Sequence, residues 1–316
     1  MARLLAIFAG IAALIAFPLL TNEFLVSVSI VTGIYVILMV GLALFLGYGG
    51  QFSFAQSVFY GIGAYTSASL TTKFNIPVVY AFLAGGALAG VAAYLLSAPL
   101  LRLRGYYLAV ATLAMCQIFQ VLISENVNIT GGPSGIYSIP PFSVLGFVFE
   151  TSRSYYYLVW GVAIACLFFT RNVMDSAVGR ALKAIKSSED AALVMGINVV
   201  DLQTRIFVFA GITGGLAGSF YAHYVSYISP NSFTIDLSIW LVIVLTVGGV
   251  RSVSGVILGA AFTTVFPFLL GRYQTYNMLI FGIIFLLVLK YMPNGIAGQA
   301  QVWVSQFRQQ RVKPHE

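Results

Sequence analysis

Nine of the chain's 25 Asp, Glu, Lys and Arg residues fall in the stretch 171–205: Arg171, Asp175, Arg180, Lys183, Lys186, Glu189, Asp190, Asp201 and Arg205. Long apolar runs flank that stretch on both sides, so its chemistry is recognition by charge and hydrogen bonding at a membrane face. Ser187-Ser188-Glu189-Asp190 places hydroxyls and acids where a helix N-terminus accepts them. Ala191-Ala192-Leu193-Val194-Met195 then supplies a short apolar face, and Gly196 is a C-terminal stop. Ala181-Leu182-Lys183-Ala184-Ile185-Lys186 forms a second, basic helix ahead of it. Two short helices, one with an apolar strip, suit a groove on a partner protein. A solvated connector that only sets orientation is the plainer alternative.

Covalent chemistry finds little material. No Gly-Lys dipeptide occurs, which excludes a Gly-x-x-x-x-Gly-Lys-[Ser/Thr] phosphate loop, so any ATP is bound by another chain. The two histidines, His223 and His315, do not make a metal site, and there is no Gly-x-Ser-x-Gly nucleophile elbow. Cys116 and Cys166 lie in apolar runs and read as small core residues. The sequence therefore reads as a non-enzyme, with no cofactor of its own. Polar groups inside apolar runs are the other candidates. Gln51, Ser53, Gln56 and Ser57 open one run just after Gly47-Tyr48-Gly49-Gly50, and Gln117 and Gln120 share one helix face at i, i+3. At membrane depth such side chains face protein or water. They either line a path for a polar solute or bond neighbouring helices.

The elements that must position these groups are membrane helices. The chain is 59% hydrophobic and 8% charged, and its apolar runs do not alternate as barrel strands do. About 20 apolar residues cross a bilayer, which gives ten candidate spans: 4–20, 24–46, 52–71, 77–98, 106–124, 155–170, 206–228, 237–250, 255–271 and 275–291. The third and eighth are candidates for broken or re-entrant helices. Residues 4–20 lack a small-x-small cleavage site after them and read as a retained span. The stretch 136–149, interrupted by Pro140-Pro141, reads as an external loop near the surface. With both termini cytoplasmic, thirteen basic residues lie inside (Arg3, Arg102, Arg104, Arg171, Arg180, Lys183, Lys186, Arg205, Arg251, Lys290, Arg308, Arg311 and Lys313). Only Lys73, Arg153 and Arg272 lie outside. The expected organisation is an all-α polytopic membrane protein with one domain over 1–300 and a basic cytoplasmic tail, 301–316. No predicted span carries a charge near its middle, which argues against an ion-coupled carrier.

Gly179-Arg180-Ala181-Leu182-Lys183-Ala184-Ile185 followed by Glu189-Asp190-Ala191-Ala192 and Gly196-Ile197-Asn198 resembles the cytoplasmic loop of ABC importer permeases of the branched-chain amino-acid family (LivM-like). The likeness extends through Leu101-Arg102-Leu103-Arg104-Gly105-Tyr106-Tyr107, Thr130-Gly131-Gly132-Pro133-Ser134-Gly135, Gly214-Gly215-Leu216-Ala217-Gly218, Ile228-Ser229-Pro230, Gly248-Gly249-Val250-Arg251-Ser252 and Pro293-Asn294-Gly295-Ile296. It implies a type II-like ABC importer permease fold in a bacterial-type inner membrane, paired with a second permease, related or identical. ATP and magnesium would sit on two cytoplasmic ATPase subunits, and an external binding protein would deliver the solute. On this resemblance Arg180, Lys183, Glu189, Asp190, Ala191, Ala192 and Gly196 form the ATPase-coupling element. Thr130, Gly131, Gly132 and Ser134 form an external delivery loop. Branched-chain or related amino acids are the expected cargo. Urea, short amides or a ribose-type sugar are alternatives within the superfamily, and a self-sufficient channel or carrier is the alternative outside it.

Overall fold

The computed structural model describes residues 14–269 apart from 104, 145 and 251, together with 282, 286, 290, 292 and 295–299. Residues 14–20 are helical and lead into α1 (Glu23–Ala43), which continues as a π-helical turn, Leu44–Tyr48. An irregular stretch follows before α2 (Gln56–Lys73), α3 (Val78–Leu100), α4 (Tyr106–Glu125) and the one-turn α5 (Val127–Thr130). After a two-stranded hairpin, β1 (Ser143–Val144) and β2 (Phe147–Val148), come α6 (Ser152–Asp175), α7 (Ala177–Ser187) and α8 (Glu189–Val194). The long α9 (Val199–Val225), α10 (Ile235–Gly248) and α11 (Val253–Leu269) complete the described bundle.

Among the described residues, six stretches are long and apolar enough to span a bilayer: Glu23–Tyr48, Val78–Leu100, Tyr106–Glu125, Ser152–Asp175, Val199–Val225 and Pro230–Gly248. The chain is thus a helical, multi-pass membrane protein. The expected third span is broken at its start: its helix begins only at Gln56, with residues 50–55 outside any helix. The eighth is short, because α10 holds 14 residues and needs the turn at Pro230–Ser232 to reach membrane length. The first expected span is described only from residue 14. The tenth (275–291) and the tail (301–316) lie outside the described residues apart from 282, 286 and 290.

At the centre, α9 packs against α1, α2 and α3. Lipid tails give helices no hydrophobic reason to associate, so close backbone approach must supply the attraction. A side chain at Gly218 would run into the Tyr60 carbonyl of α2, and the Ser219 hydroxyl donates to the Gly63 carbonyl at 3.1 Å. Phe220 and Phe82, with ring centres 4.5 Å apart, continue this contact into α3.

Connections gather at two ends. One end holds the 126–151 connection, tied to the α9–α10 turn by the antiparallel bridge Ile136–Ile228 and to α2 by Ser69, which donates to the Ile129 carbonyl at 3.0 Å. The expected loop over 136–149 keeps an exposed side at Tyr137, Ser138, Pro141, Phe147 and Val148, but it is anchored in the core. Ile136, Ile139 and Phe142 are buried, and the Pro140 carbonyl accepts from Nδ1 of buried His223 at 2.7 Å. Since that carbonyl can only accept, Nδ1 carries a proton; in the neutral ring Nε2 then accepts from the Ser67 hydroxyl at 2.7 Å. The prolines stop a helix there, but the apolar side chains around them still find the core. The opposite end holds the π turn, the 50–55 stretch, the α3–α4 turn and α7–α8.

Candidate coupling and translocation sites

Local hydrogen bonds build the α7–α8 pair. The Ser176 hydroxyl caps α7 by accepting from the Val178 N–H at 3.2 Å, and Ser188 caps α8 by accepting from Ala191 at 3.3 Å. The helix α8 ends with Gly196 in the left-handed region, φ +79°. Its N–H reaches the Leu193 carbonyl and the Ile197 N–H reaches Ala192, each at 3.0 Å. This is the paired-bond helix stop that glycine favours. Asn198 then caps α9, its Oδ1 accepting from Asp201 at 3.1 Å. The polar loop proper is therefore 176–198, because Arg171 and Asp175 belong to α6 while Asp201 and Arg205 belong to α9. Both of those pairs are i, i+4 neighbours on exposed surface, at 4.0 and 2.9 Å, where an ion pair contributes little.

The two short helices present one buried and one open side. Leu182, Ile185 and Ala192, with Val199 at the start of α9, sink into a cluster with Phe45, Leu101, Leu108 and Phe207. Facing away are Leu193, Val194 and Met195, which are 47%, 89% and 81% exposed. Arg180, Lys183, Asp190 and Ala191 are exposed beside them, with Glu189 partly covered in the first turn of α8. This apolar strip sits among charges at the polar end of the bundle, where lipid tails do not explain it. The sequence patterns had located the strip; its near-complete exposure comes from the fold.

The polar entry to α2 is turned inward. The Gln56 amide, buried, donates to the Leu38 carbonyl at 2.7 Å and to the Ala210 carbonyl at 3.3 Å, which joins α2 to α1 and α9. The Ser57 hydroxyl accepts from Ser238 at 2.7 Å, while the Ser57 N–H donates to the same Ser238 oxygen at 3.1 Å. Cys116 donates to the Phe54 carbonyl at 3.0 Å, and the Phe54 N–H donates to Thr112 at 3.0 Å. One turn of α4 thus holds both polar groups of a residue that lies outside any helix. Ser53 is buried and accepts from the Ala55 N–H at 3.3 Å; Gln51 is half-buried and Phe52 is exposed. Gln56 and Ser57 accordingly act as ties between helices in this structure. Gln117 is exposed and Gln120 half-exposed on the open face of α4, so these two, with half-buried Gln51, remain accessible at the surface of this chain. Thr112, Cys116 and Ser238 complete the buried network; single polar residues in apolar runs are its only trace in the sequence.

Thr130 ends α5 from within. Its hydroxyl lies 2.5 Å from the Ile123 carbonyl and 2.7 Å from that of Asn126, and it accepts from the Gly132 N–H at 3.2 Å. Gly131 and Gly132 both have positive φ, so this segment is a tight turn, and Ser134 is the exposed member of the four expected loop residues. The Ser134 carbonyl accepts from the Tyr227 hydroxyl at 3.3 Å.

Comparison with known proteins agrees with this architecture. Residues 24–289 match the model of the family described as branched-chain amino acid transport system / permease component. The high-affinity branched-chain amino acid transport system permease protein LivM of Escherichia coli K12 is 29% identical, over 89% of this chain and 72% of that protein. LivM of Salmonella typhimurium LT2 is 30% identical over the same shares. The L-arabinose ABC transporter permease protein AraH of Azospirillum brasilense is 27% identical, over 74% of this chain and 67% of that protein. No solved structure gives a significant match.

Proposed function

Because this chain belongs to the family of branched-chain amino acid transport permeases of ABC transporters, we propose that it forms half of the translocation path of an importer for branched-chain or related amino acids. The relatives' printed substrate and the family match support that cargo. The likeness to an arabinose permease makes a sugar the second reading. In this reading ten spans cross the cytoplasmic membrane with both termini inside, in a type II-like arrangement, and a second permease completes the path. Gln51, Gln117 and Gln120 face that path, and the turn at Thr130–Ser134 meets an external binding protein. ATP and magnesium are held by two cytoplasmic ATPase subunits, one of which docks on the 176–198 loop of this chain.

The observation that carries the reading is the capped α7–α8 pair with its open apolar strip, Leu193–Met195. An apolar strip of this size is stabilised when a groove covers it. Arg180, Lys183, Glu189 and Asp190 surround it with groups that set register on the partner, and Gly196 fixes where α8 stops. Affinity purification of the chain from native membranes in mild detergent, followed by mass spectrometry, tests the assembly. Two phosphate-loop ATPases and a second permease are expected; a chain that purifies alone in several mild detergents overturns the reading. Uptake of tritiated leucine, suppressed by excess isoleucine but not by L-arabinose, tests the cargo. Uptake of labelled L-arabinose, with none of leucine, selects the sugar.

A further inference from the structure

The docking pair touches the transmembrane bundle at a point that cap and packing arguments leave unexplained. Lys186, in the last turn of α7, extends its ammonium to the Gly47 carbonyl at 2.5 Å. Gly47 lies inside the π-helical turn that ends α1. The Lys186 stem lies along Gly50, whose φ is +68°, and a Cβ there would meet Lys186 Cγ at 3.2 Å. Gly47 also abuts the Val250 backbone, just beyond the end of α10, and any side chain at 47 would strike the Val250 carbonyl. One cation thus fastens α7 to the place where α1 ends, α10 ends and residues 50–55 leave helical geometry.

Physical chemistry favours a cation there. The last carbonyls of a helix carry partial negative charge and lack intrahelical donors. A π turn bonds less regularly than an α turn and recurs at functional breaks in helices, so the end of α1 changes register at lower cost than its middle. Beyond it, residues 51–53 lead to Phe54, whose backbone is held by Thr112 and Cys116, and to Gln56, which bonds α1 and α9. A displacement of α7 that pulls on Gly47 therefore reaches the broken segment before it reaches any packed helix middle.

We propose that Lys186 is the strut that carries movement of the docked α7–α8 pair into the unwound segment 50–55, so that nucleotide-driven motion opens or closes the polar entry to α2. This rests on the reading of α7–α8 as the ATPase dock. Lys186 acts through Gly47 and touches no substrate, so it is a positioning residue. Its stem supplies packing on Gly50, while its charge supplies the grip on the carbonyl. Lys186→Met keeps the first and removes the second; Lys186→Arg keeps a cation.

The test uses the intact complex in lipid nanodiscs, with Phe52→Cys as reporter because Phe52 is exposed in the segment. A membrane-impermeant maleimide labels it, and peptide mass spectrometry reads that site separately from Cys116 and Cys166. Trapping with ATP and vanadate is expected to change the labelling rate at least threefold in the Phe52→Cys complex. The change is expected to vanish in Lys186→Met, to persist in Lys186→Arg, and to leave the amounts of trapped nucleotide and bound ATPase unaltered in both. An equal change in Lys186→Met, or no change in the reporter complex itself, overturns the proposal. Loss of ATPase from Lys186→Met, with the reporter complex intact, makes Lys186 a packing residue and also overturns it. Failure of the docking reading looks different: no ATPase accompanies even the unaltered chain.

Discussion

Replacing Val194 and Met195 together by serine gives the sharpest check on the docking surface. Fully burying a Val or Met side chain stabilises by about 1.5–3 kcal/mol. These two are 89% and 81% exposed, so nearly all of that gain is still open to a partner. Full coverage of both contributes about 3–5 kcal/mol. Ordering of side chains and imperfect fit offset about half of this, leaving about 2 kcal/mol, or roughly 30-fold in the dissociation constant of the ATPase. The fold itself is little affected, since exposed substitutions away from special features usually stay within about 0.5 kcal/mol. The assay measures ATPase retention on the immobilised permease across a dilution series, beside fluorescence-detected size exclusion of the permease alone. Weakened retention with an unchanged elution profile and melting temperature is expected. Retention equal to that of the unaltered chain would refute the argument, because it would mean that the strip stays uncovered in the complex.

Three other perturbations separate local from long-range effects. Gly196→Val forces a β-branched residue to φ +79°, at a cost of about 1–2 kcal/mol. Nothing lies within 4 Å of the added Cβ, so ATPase retention should fall while the bundle melts normally. Gly218→Ala drives a methyl into the Tyr60 carbonyl between α2 and α9; a lower melting temperature is expected, and an unchanged one would show that the helices separate freely there. Ser57→Ala takes from the Ser238 proton its Ser57 acceptor, while the residue-57 N–H still donates to that oxygen; the loss costs about 1 kcal/mol and lowers the melting temperature. Adding Ser238→Ala also removes the acceptor of the residue-57 N–H, so the double variant should melt lower still, as a thermal double-mutant cycle would record.

Six of the expected spans, 24–46, 77–98, 106–124, 155–170, 206–228 and 237–250, were readable because transfer into lipid depends on composition over about 20 residues, whatever their neighbours. The α7–α8 pair was readable for a second reason. Ser188 and Gly196 act on backbone groups within five residues of themselves, so their meaning is local. Family motifs added the permease assignment, which the comparisons bear out.

Facing was not readable. A helix such as α1, apolar all round, carries no stripe to say which side meets protein, and thirteen of its residues prove to be buried. Gln56, with carbonyls 18 and 154 positions away as its partners, looked in the sequence like any polar residue at a membrane break. The burial of Phe142, the pairing of Ser57 with Ser238 and the reach of Lys186 to Gly47 across 139 positions have the same character. Sequence by itself determined which stretches are apolar enough to enter a membrane and where the short helix α8 starts and stops, because solvation and capping are short-range. Only the tertiary structure decided which polar groups bind helices together and which stay open, because that depends on which distant backbone happens to lie within 3 Å.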